Sequence, residues 1–477
     1  MSRSGSLCLL LHSHMPYVEG FGTWPFGEEW LFEAVASSYL PLLDVLEDAP
    51  VTLTVTPVLA DQLEAMRDGE AGDRFVDFVR DLRALVHAED AKELEATGES
   101  GLAAELRRAA GDYERADAAF EAVEGDLLGG LGRLKRAELW TSAATHAVLP
   151  LLATRAGTAL QLAAGIESHI DRFGSWDGGF WLPECAYCPE LEADLAERAV
   201  HVFCVDQTDR LQSGALDNLE PVTMPEGVVA VPIDWQTICL IWDMQDGYPG
   251  ARAYRDYHRR TRYDLRPWNV AGEPYRHEDA LALTREHARD FVAKVRARLD
   301  GYASERGRPG LVCCALDTEL LGHWWYEGPA WLAAVLEEAP VAGVELRTIS
   351  DALADVEPVE RTLAASSWGN PKTLRTWDSP AVADIACAQR RAELAVVAAA
   401  PRLGRSPQLE RAARELLALQ SSDWAFQVTR DQAGPYPLAR VQHHAAELAA
   451  ALVDGATPEP RVRNLQPRLD VSPLVLP

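Results

Sequence analysis

At 477 residues the chain is too long for one small core and has material for two or three domains. Hydrophobic residues make up 48% of it, which excludes a disordered chain, and the net charge of −28 makes nucleic acid and anionic membranes poor partners. The first apolar run, 7–11, reads as a strand and is shorter than the ~7–15 residues of a signal-peptide core. Residues 51–56 (VTLTVT) are rich in β-branched side chains and read as a second strand. From about 61 to 136 apolar residues recur at spacings of three and four (Leu63, Met66; Phe75, Phe78, Val79, Leu82), predicting a helical insertion. Strand-like runs follow at 137–141, 179–182, 200–205, 228–231, 311–316 and 344–348, with a looser excursion at about 189–265.

Alternating strand and helix signals predict a parallel α/β architecture, most naturally a closed barrel over residues 1–380. From 381 the composition shifts to Ala, Leu, Arg and Glu, predicting a C-terminal α-helical domain to about 460. Residues 461–477, rich in Pro and Arg, read as a loose tail.

The basic residues are nearly all Arg; the lysines are Lys92, Lys135, Lys294 and Lys372. Acidic residues are spread along the whole chain, and a solvated acidic shell of this kind suits high salt, where screening weakens self-repulsion. Cys185 and Cys188 form a lone CxxC without a second pair at zinc-ribbon spacing, so the eight cysteines read as reduced thiols. No stretch approaches the ~18–20 apolar residues of a membrane helix, so a soluble cytoplasmic protein is expected.

The chemistry concentrates where strand signals end. Glu184 stands in Trp181-Leu182-Pro183-Glu184-Cys185-Ala186-Tyr187, an apolar, aromatic segment in which a carboxylate is costly unless it is used. Asp317 opens a second such segment, which continues through Glu319, His323, Trp324 and Trp325 to Glu327. Two carboxylates on aromatic ground suit glycosidic bond chemistry, in which one is ionised and the other carries a proton. Retaining enzymes hold the pair about 5–5.5 Å apart and inverting ones about 6.5–9.5 Å apart, a separation sequence does not give. Buried carboxylates paired with Arg are the competing reading, but no Arg adjoins either segment.

His12-Ser13-His14 follows the first strand. Its imidazoles could hydrogen-bond sugar hydroxyls, ligate a metal with Asp317, His146 or His323, or merely cap the strand. Among the many tryptophans, Trp242, Trp368, Trp377 and Trp424 lie beside polar or glycine residues, and about a third of the aromatic set is expected to line a cleft.

Taken together, five ordered segments resemble glycoside hydrolase family 57, in particular its branching-enzyme-like group. They are His12 to Val18, Ala144 to Pro150, Trp181 to Tyr187, Asp317 to Pro329, and Ser366-Ser367-Trp368-Gly369. The resemblance implies a (β/α)7 barrel with an inserted helical subdomain and a C-terminal helical domain closing the cleft. It implies retaining chemistry on α-1,4-glucan (amylose, starch or glycogen-like), with Glu184 as nucleophile and Asp317 as general acid/base. It implies no metal and no cofactor. It places Trp242, Trp368 and Trp377 near the donor sugar; with them His12, His14, His146, Trp181, His323, Trp324, Asp423 and Trp424 are the expected substrate-binding residues.

The chain departs from the family pattern in three places. Ala147 stands where branching members have Gly, and Asn370-Pro371-Lys372-Thr373 is not the usual Gly-rich continuation. The segment between Cys204 and Trp235 is short, and no Tyr occurs between Tyr187 and Tyr248, where branching members carry a mobile loop with a transfer-assisting Tyr. Transfer needs water kept out, so the short loop puts α-amylase-like hydrolysis slightly ahead of branching. Outside this class stand a metal-dependent deacetylase-type hydrolase using His12, His14 and Asp317, and a non-catalytic glucan-binding homologue. The oligomeric state is not legible.

Overall fold

The computed structural model describes residues 4–243, 245–454 and 460–475. Its centre is a curved sheet with seven parallel strands: β1 (Gly5–Ser13), β2 (Thr52–Val55), β3 (Glu138–Ser142), β4 (Gly179–Trp181), β5 (Val202–Val205), β7 (Val229–Pro232) and β8 (Gly310–Asp317). The short β6 (Val222–Thr223) pairs antiparallel with β7. The parallel strands run in the order β8-β1-β2-β3-β4-β5-β7, and helices cover them. This is the expected (β/α)7 barrel.

β1 is flanked by β2 and β8 and buried along almost its whole length, so it reads as an uninterrupted apolar run. The two ends of the sheet, β7 and β8, are joined by a backbone bond rather than a ladder: Asp234 N–H donates to Cys313 O at 2.8 Å. The strand expected at 344–348 is only Glu345–Leu346, paired with Ser6 and Leu7 at the start of β1.

The insertion forms helices Pro57–Asp68, Glu70–Asp77, Arg83–Ala96, Ser100–Ala122 and Leu127–Gly132, tied to the barrel helix Glu28–Ala34 through a phenylalanine cluster in which the Phe32 and Phe75 rings lie 5.8 Å apart. The excursion differs from its expected bounds. β5, β6 and β7 all lie within 189–265, and the irregular stretch runs over 245–276 before helix His277–Arg306 returns to the sheet. The strand signals at 200–205 and 228–231 match β5 and β7, whereas the irregular stretch that follows has no periodicity to mark where it ends.

The C-terminal helices Ala383–Leu403, Pro407–Leu419, Asp423–Thr429 and Tyr436–Asp454 share a core with Ala144, Val148, Leu160 and Ala164 of the barrel. Arg440 fastens the junction: its guanidinium donates to Tyr17 O at 2.7 Å and lies 3.6 Å from the centre of the Phe21 ring. Residues 455–459, within the span expected for this bundle, are outside the described residues.

The expected loose tail is packed through 475; residues 476–477 are outside the described residues. Leu465 is fully buried with Tyr17, Val58 and Ala418. Gln466 N–H donates to Asp61 Oδ2 at 2.8 Å, and Arg468 pairs with Glu64 at 3.1 Å. Val462, Leu465, Leu469, Val471 and Leu474 are buried anchors at irregular spacing, a pattern that periodicity cannot detect. Leu465→Ala is therefore expected to destabilise the chain by about 2–4 kcal/mol, seen as a lowered thermal midpoint. A midpoint equal to wild type would mean that this segment contributes nothing to stability.

Candidate active site

Five of the seven parallel strands place the candidate residues at or just past their C-terminal ends, the end that carries the active site in barrels of this type. His12 and Ser13 close β1, His14 follows, and Asp317 closes β8 in register with His12. Thr56 follows β2, His146 lies past β3, and Glu184 lies past β4.

Glu184 sits in the 3-10 turn Pro183–Cys185, where Glu184 (φ 61°) and Cys185 (φ 50°) both occupy the left-handed region; His146 does the same at φ 58°. Such residues cost roughly 1–3 kcal/mol each and persist only where the surroundings hold them. Here the loop carrying Ser366 and Trp368 supplies that hold. Trp368 N–H donates to Glu184 O at 3.0 Å, and Tyr187 and Ser366 exchange two backbone bonds of 2.9 and 3.0 Å.

The Glu184 carboxylate accepts two hydrogen bonds from opposite parts of the chain. Trp368 Nε1 donates to Oε2 at 3.0 Å and Ser422 Oγ donates to Oε1 at 2.7 Å. Burial still pushes its pKa up to about 7, opposed by these two donors and by the charge of His14, and assisted by Asp423. Asp317 is more exposed to like charge. Burial, then Glu319, then Glu184 raise its pKa well above the usual carboxylate range. Glu319 is raised to about 7 by burial, although it accepts from Tyr39 Oη and from His14 N–H, the latter at 3.0 Å.

Three imidazoles stack beside these carboxylates. The rings of His14 and His146 lie 4.0 Å apart, and His12 lies 4.9 Å from His146 and 4.8 Å from Trp181. Burial and the neighbouring histidines hold His12 and His146 neutral. His14 is the exception. Burial resists its charge, but Asp423 Oδ2 at 3.0 Å raises its pKa, and Asp423 is lowered in turn despite its own burial. His14 and Asp423 form an ion pair across the junction of barrel and bundle. Among the described residues, no three His, Cys, Asp or Glu side chains are grouped as metal ligands would be.

The structure sorts the predicted residues into three groups. Glu184, Asp317, His14, Trp368 and Asp423 come together, with the buried His12 and His146 behind them. Trp242, 40% exposed, meets Trp324 edge-to-face at 6.0 Å, and His323 adjoins Trp324 at 6.2 Å; burial and the charges of Arg266 and Arg260 lower the His323 pKa to about 3. Trp181, Trp377 and Trp424 are buried and offer no free face to a sugar ring. Trp424 donates Nε1 to Ala418 O at 2.9 Å and packs in the bundle core with Trp377. An indole next to a serine or an aspartate in sequence is as well suited to a helix junction as to a cleft, and packing decided these two.

Sequence reasoning missed Ser422 and Tyr39. Ser422 precedes helix Asp423–Thr429, where serine is commonplace as a helix-starting residue, so its bond to Glu184 leaves no sequence signal.

The family model for glycosyl hydrolase family 57 matches residues 126–364, and that for the C-terminal domain of 1,4-alpha-glucan branching enzymes matches residues 386–467. A probable 1,4-alpha-glucan branching enzyme of Mycobacterium tuberculosis is 36% identical, covering 94% of this chain and 93% of its own. The chain belongs to glycosyl hydrolase family 57. The branching enzyme of Pyrococcus horikoshii, solved by crystallography, superposes with a TM-score of 0.90 at 31% identity, covering 99% of this chain and 97% of its own. The α-amylase AmyC of Thermotoga maritima superposes with a TM-score of 0.84 at 25% identity, with 99% of each chain covered. Membership confirms the resemblance drawn from the five segments.

The raised pKa of Glu184 has a stability consequence. Between its ordinary value of 4.5 and about 7, the folded chain keeps a proton that the unfolded chain has lost. The stability contributed by this group therefore declines as pH rises through that window. Glu184→Gln is expected to stabilise the fold by about 1–3 kcal/mol at pH ~8, with the gain vanishing near pH ~4. Thermal unfolding of both proteins across that range is the measurement. A gain that is independent of pH would contradict the burial argument.

Proposed function

We propose that this chain is a 1,4-α-glucan branching enzyme working by retaining double displacement. The observation that carries the chemistry is the contrast between its two carboxylates. Glu184 accepts hydrogen bonds from Trp368 and Ser422, which favour its ionised form, whereas Asp317 faces Glu319 and Glu184, which favour its protonated form.

In the first step the Glu184 carboxylate attacks the anomeric carbon of a glucan chain. Asp317 gives its proton to the departing O-4, releasing the reducing-side fragment and leaving a glucosyl ester on Glu184. In the second step Asp317 takes the proton of an acceptor's 6-hydroxyl, whose oxygen displaces Glu184 and forms an α-1,6 bond. Trp242 and Trp324, partly exposed and perpendicular, give sugar rings an apolar platform. The branching choice of acceptor is supported by the relatives named as branching enzymes, which match nearly the whole chain, and by the match of the C-terminal bundle to the branching-enzyme domain.

Hydrolysis, the reading slightly ahead on sequence alone, is the second reading. It rests on the connection from β5 to β7. Asn218 and Leu219 are buried there, and Glu220 is gripped by Arg308 at 2.8 Å and Tyr302 at 3.1 Å, so the connection is anchored rather than draped over the cleft. Amylose incubation separates the two. Branching gives α-1,6 linkages with few new reducing ends, and hydrolysis gives reducing ends alone. Runs at low and multimolar salt also test the proposed salt preference of the acidic shell.

Glu184→Gln is expected to abolish turnover while glucan binding persists. Asp317→Asn is expected to lower turnover by orders of magnitude, less so for substrates with good leaving groups. The pH profile of kcat/KM is expected to be bell-shaped: its acidic limb is set by protonation of Glu184 near 7, and its alkaline limb by proton loss from Asp317. Near-normal turnover in Glu184→Gln would end this assignment.

A further inference from the structure

Ser422 belongs to the C-terminal bundle yet touches the proposed nucleophile, and the barrel contributes two histidines to the same line of contacts. His12 Nε2 lies 3.0 Å from His146 Nε2, and His146 Nδ1 lies 2.9 Å from Ser422 Oγ. Ser422 Oγ lies 2.7 Å from Glu184 Oε1. A neutral imidazole has one proton and a serine hydroxyl one, so the contacts must all point the same way. Pointing away from Glu184, the chain would end on a protonated His12 Nδ1, which is buried without a partner among the described residues. Pointing toward Glu184, it ends on a bare lone pair at that atom. A buried orphan N–H is the rarer and costlier of the two.

We propose that His12 Nε2–H, His146 Nδ1–H and Ser422 Oγ–H form a one-way hydrogen-bond chain that ends on Glu184 Oε1, making Ser422 the positioning residue that fixes the protonation state of the nucleophile. The inference rests on the reading of Glu184 as nucleophile. Burial and neighbouring histidines keep His12 and His146 neutral, so each ring does hold a single proton. Aligned bonds polarise one another, so the serine is a stronger donor than it would be alone.

The backbone holds this serine at its post. Ser422 N–H donates to His146 O at 3.2 Å, and Ser421 bridges antiparallel to Ala147. Below that bridge Gln161 Nε2 donates to Gln420 Oε1 at 3.0 Å. The left-handed His146 and the start of helix Asp423–Thr429 are thus zipped together, which fixes the backbone from which the serine hydroxyl reaches the carboxylate. The titratable groups around Glu184 are His14 and His146, Asp423 on the bundle, and Asp317 with Glu319 past β8. Lys372 is engaged elsewhere, with Asp206 at 3.0 Å and Trp368 O at 3.1 Å. The donors to the Glu184 side chain among the described residues are Ser422 and Trp368.

The test is kcat/KM on amylose from pH 5 to 9 for wild type and for Ser422→Ala, Ser422→Cys and Ser422→Thr, with Glu184→Gln alongside. Loss of the hydroxyl in Ser422→Ala should move the acidic limb up by about one pH unit, a roughly tenfold loss below the limb, with a much smaller loss on the plateau. Ser422→Cys, a weaker donor of similar size, should fall between, and Ser422→Thr should restore the wild-type limb. Should Ser422→Ala not fold, the ordering of Cys and Thr decides. An inert Glu184→Gln together with an unmoved limb and a uniform drop in rate would overturn the chain alone, leaving Ser422 merely structural. Turnover in Glu184→Gln would overturn the nucleophile reading and the chain with it.

Discussion

An ionised carboxylate kept from water needs compensation from the protein, and the fold around Glu184 is organised by that need. A buried position drives the group toward its neutral form, as the pKa near 7 records. Two neutral donors and one cation oppose that drift, and they come from three places: Trp368 from the loop after the barrel, Ser422 from the bundle, and His14 from the end of β1. None of the three is adjacent to Glu184 in sequence. Remove these donors while the carboxylate stays buried, and its ionised form loses what offsets that burial.

That requirement explains features that would otherwise look unrelated. Left-handed backbone at His146, Glu184 and Cys185 is unfavourable, and it occurs where cross-loop backbone bonds can hold it. The bundle is not an accessory to the barrel. Its core includes barrel residues, its Asp423 pairs with His14, and its Arg440 grips the chain at Tyr17. The packed segment 460–475 presses the same junction from outside through Leu465 and Gln466. Asp317, by contrast, lies on the last barrel strand, where burial and then the carboxylates of Glu319 and Glu184 raise its pKa.

Much of this was legible in the chain. Glu184 and Asp317 stood out because each is a lone carboxylate in an aromatic, apolar segment at the end of a strand signal. The strands were legible where apolar runs were flanked by turns, and the bundle by its change of composition. What escaped had physical causes. The bounds of the excursion were blurred because its irregular stretch, 245–276, has no periodicity. The terminal segment packs through single anchors rather than a periodic face. Ser422 is 238 positions from the carboxylate it contacts, and serine before a helix carries an ordinary local meaning. Trp377 and Trp424 had the right neighbours for a cleft and were claimed by the bundle core.

The order in which the chain emerges during synthesis adds a last consequence. All seven parallel strands are complete once Asp317 has been made, but Trp368 comes later and Ser422 and Asp423 later still. When the last barrel strand has been made, the donors to Glu184 and the carboxylate that pairs with His14 are still to come. The geometry around Glu184 is thus complete only when the chain has been made beyond Asp423.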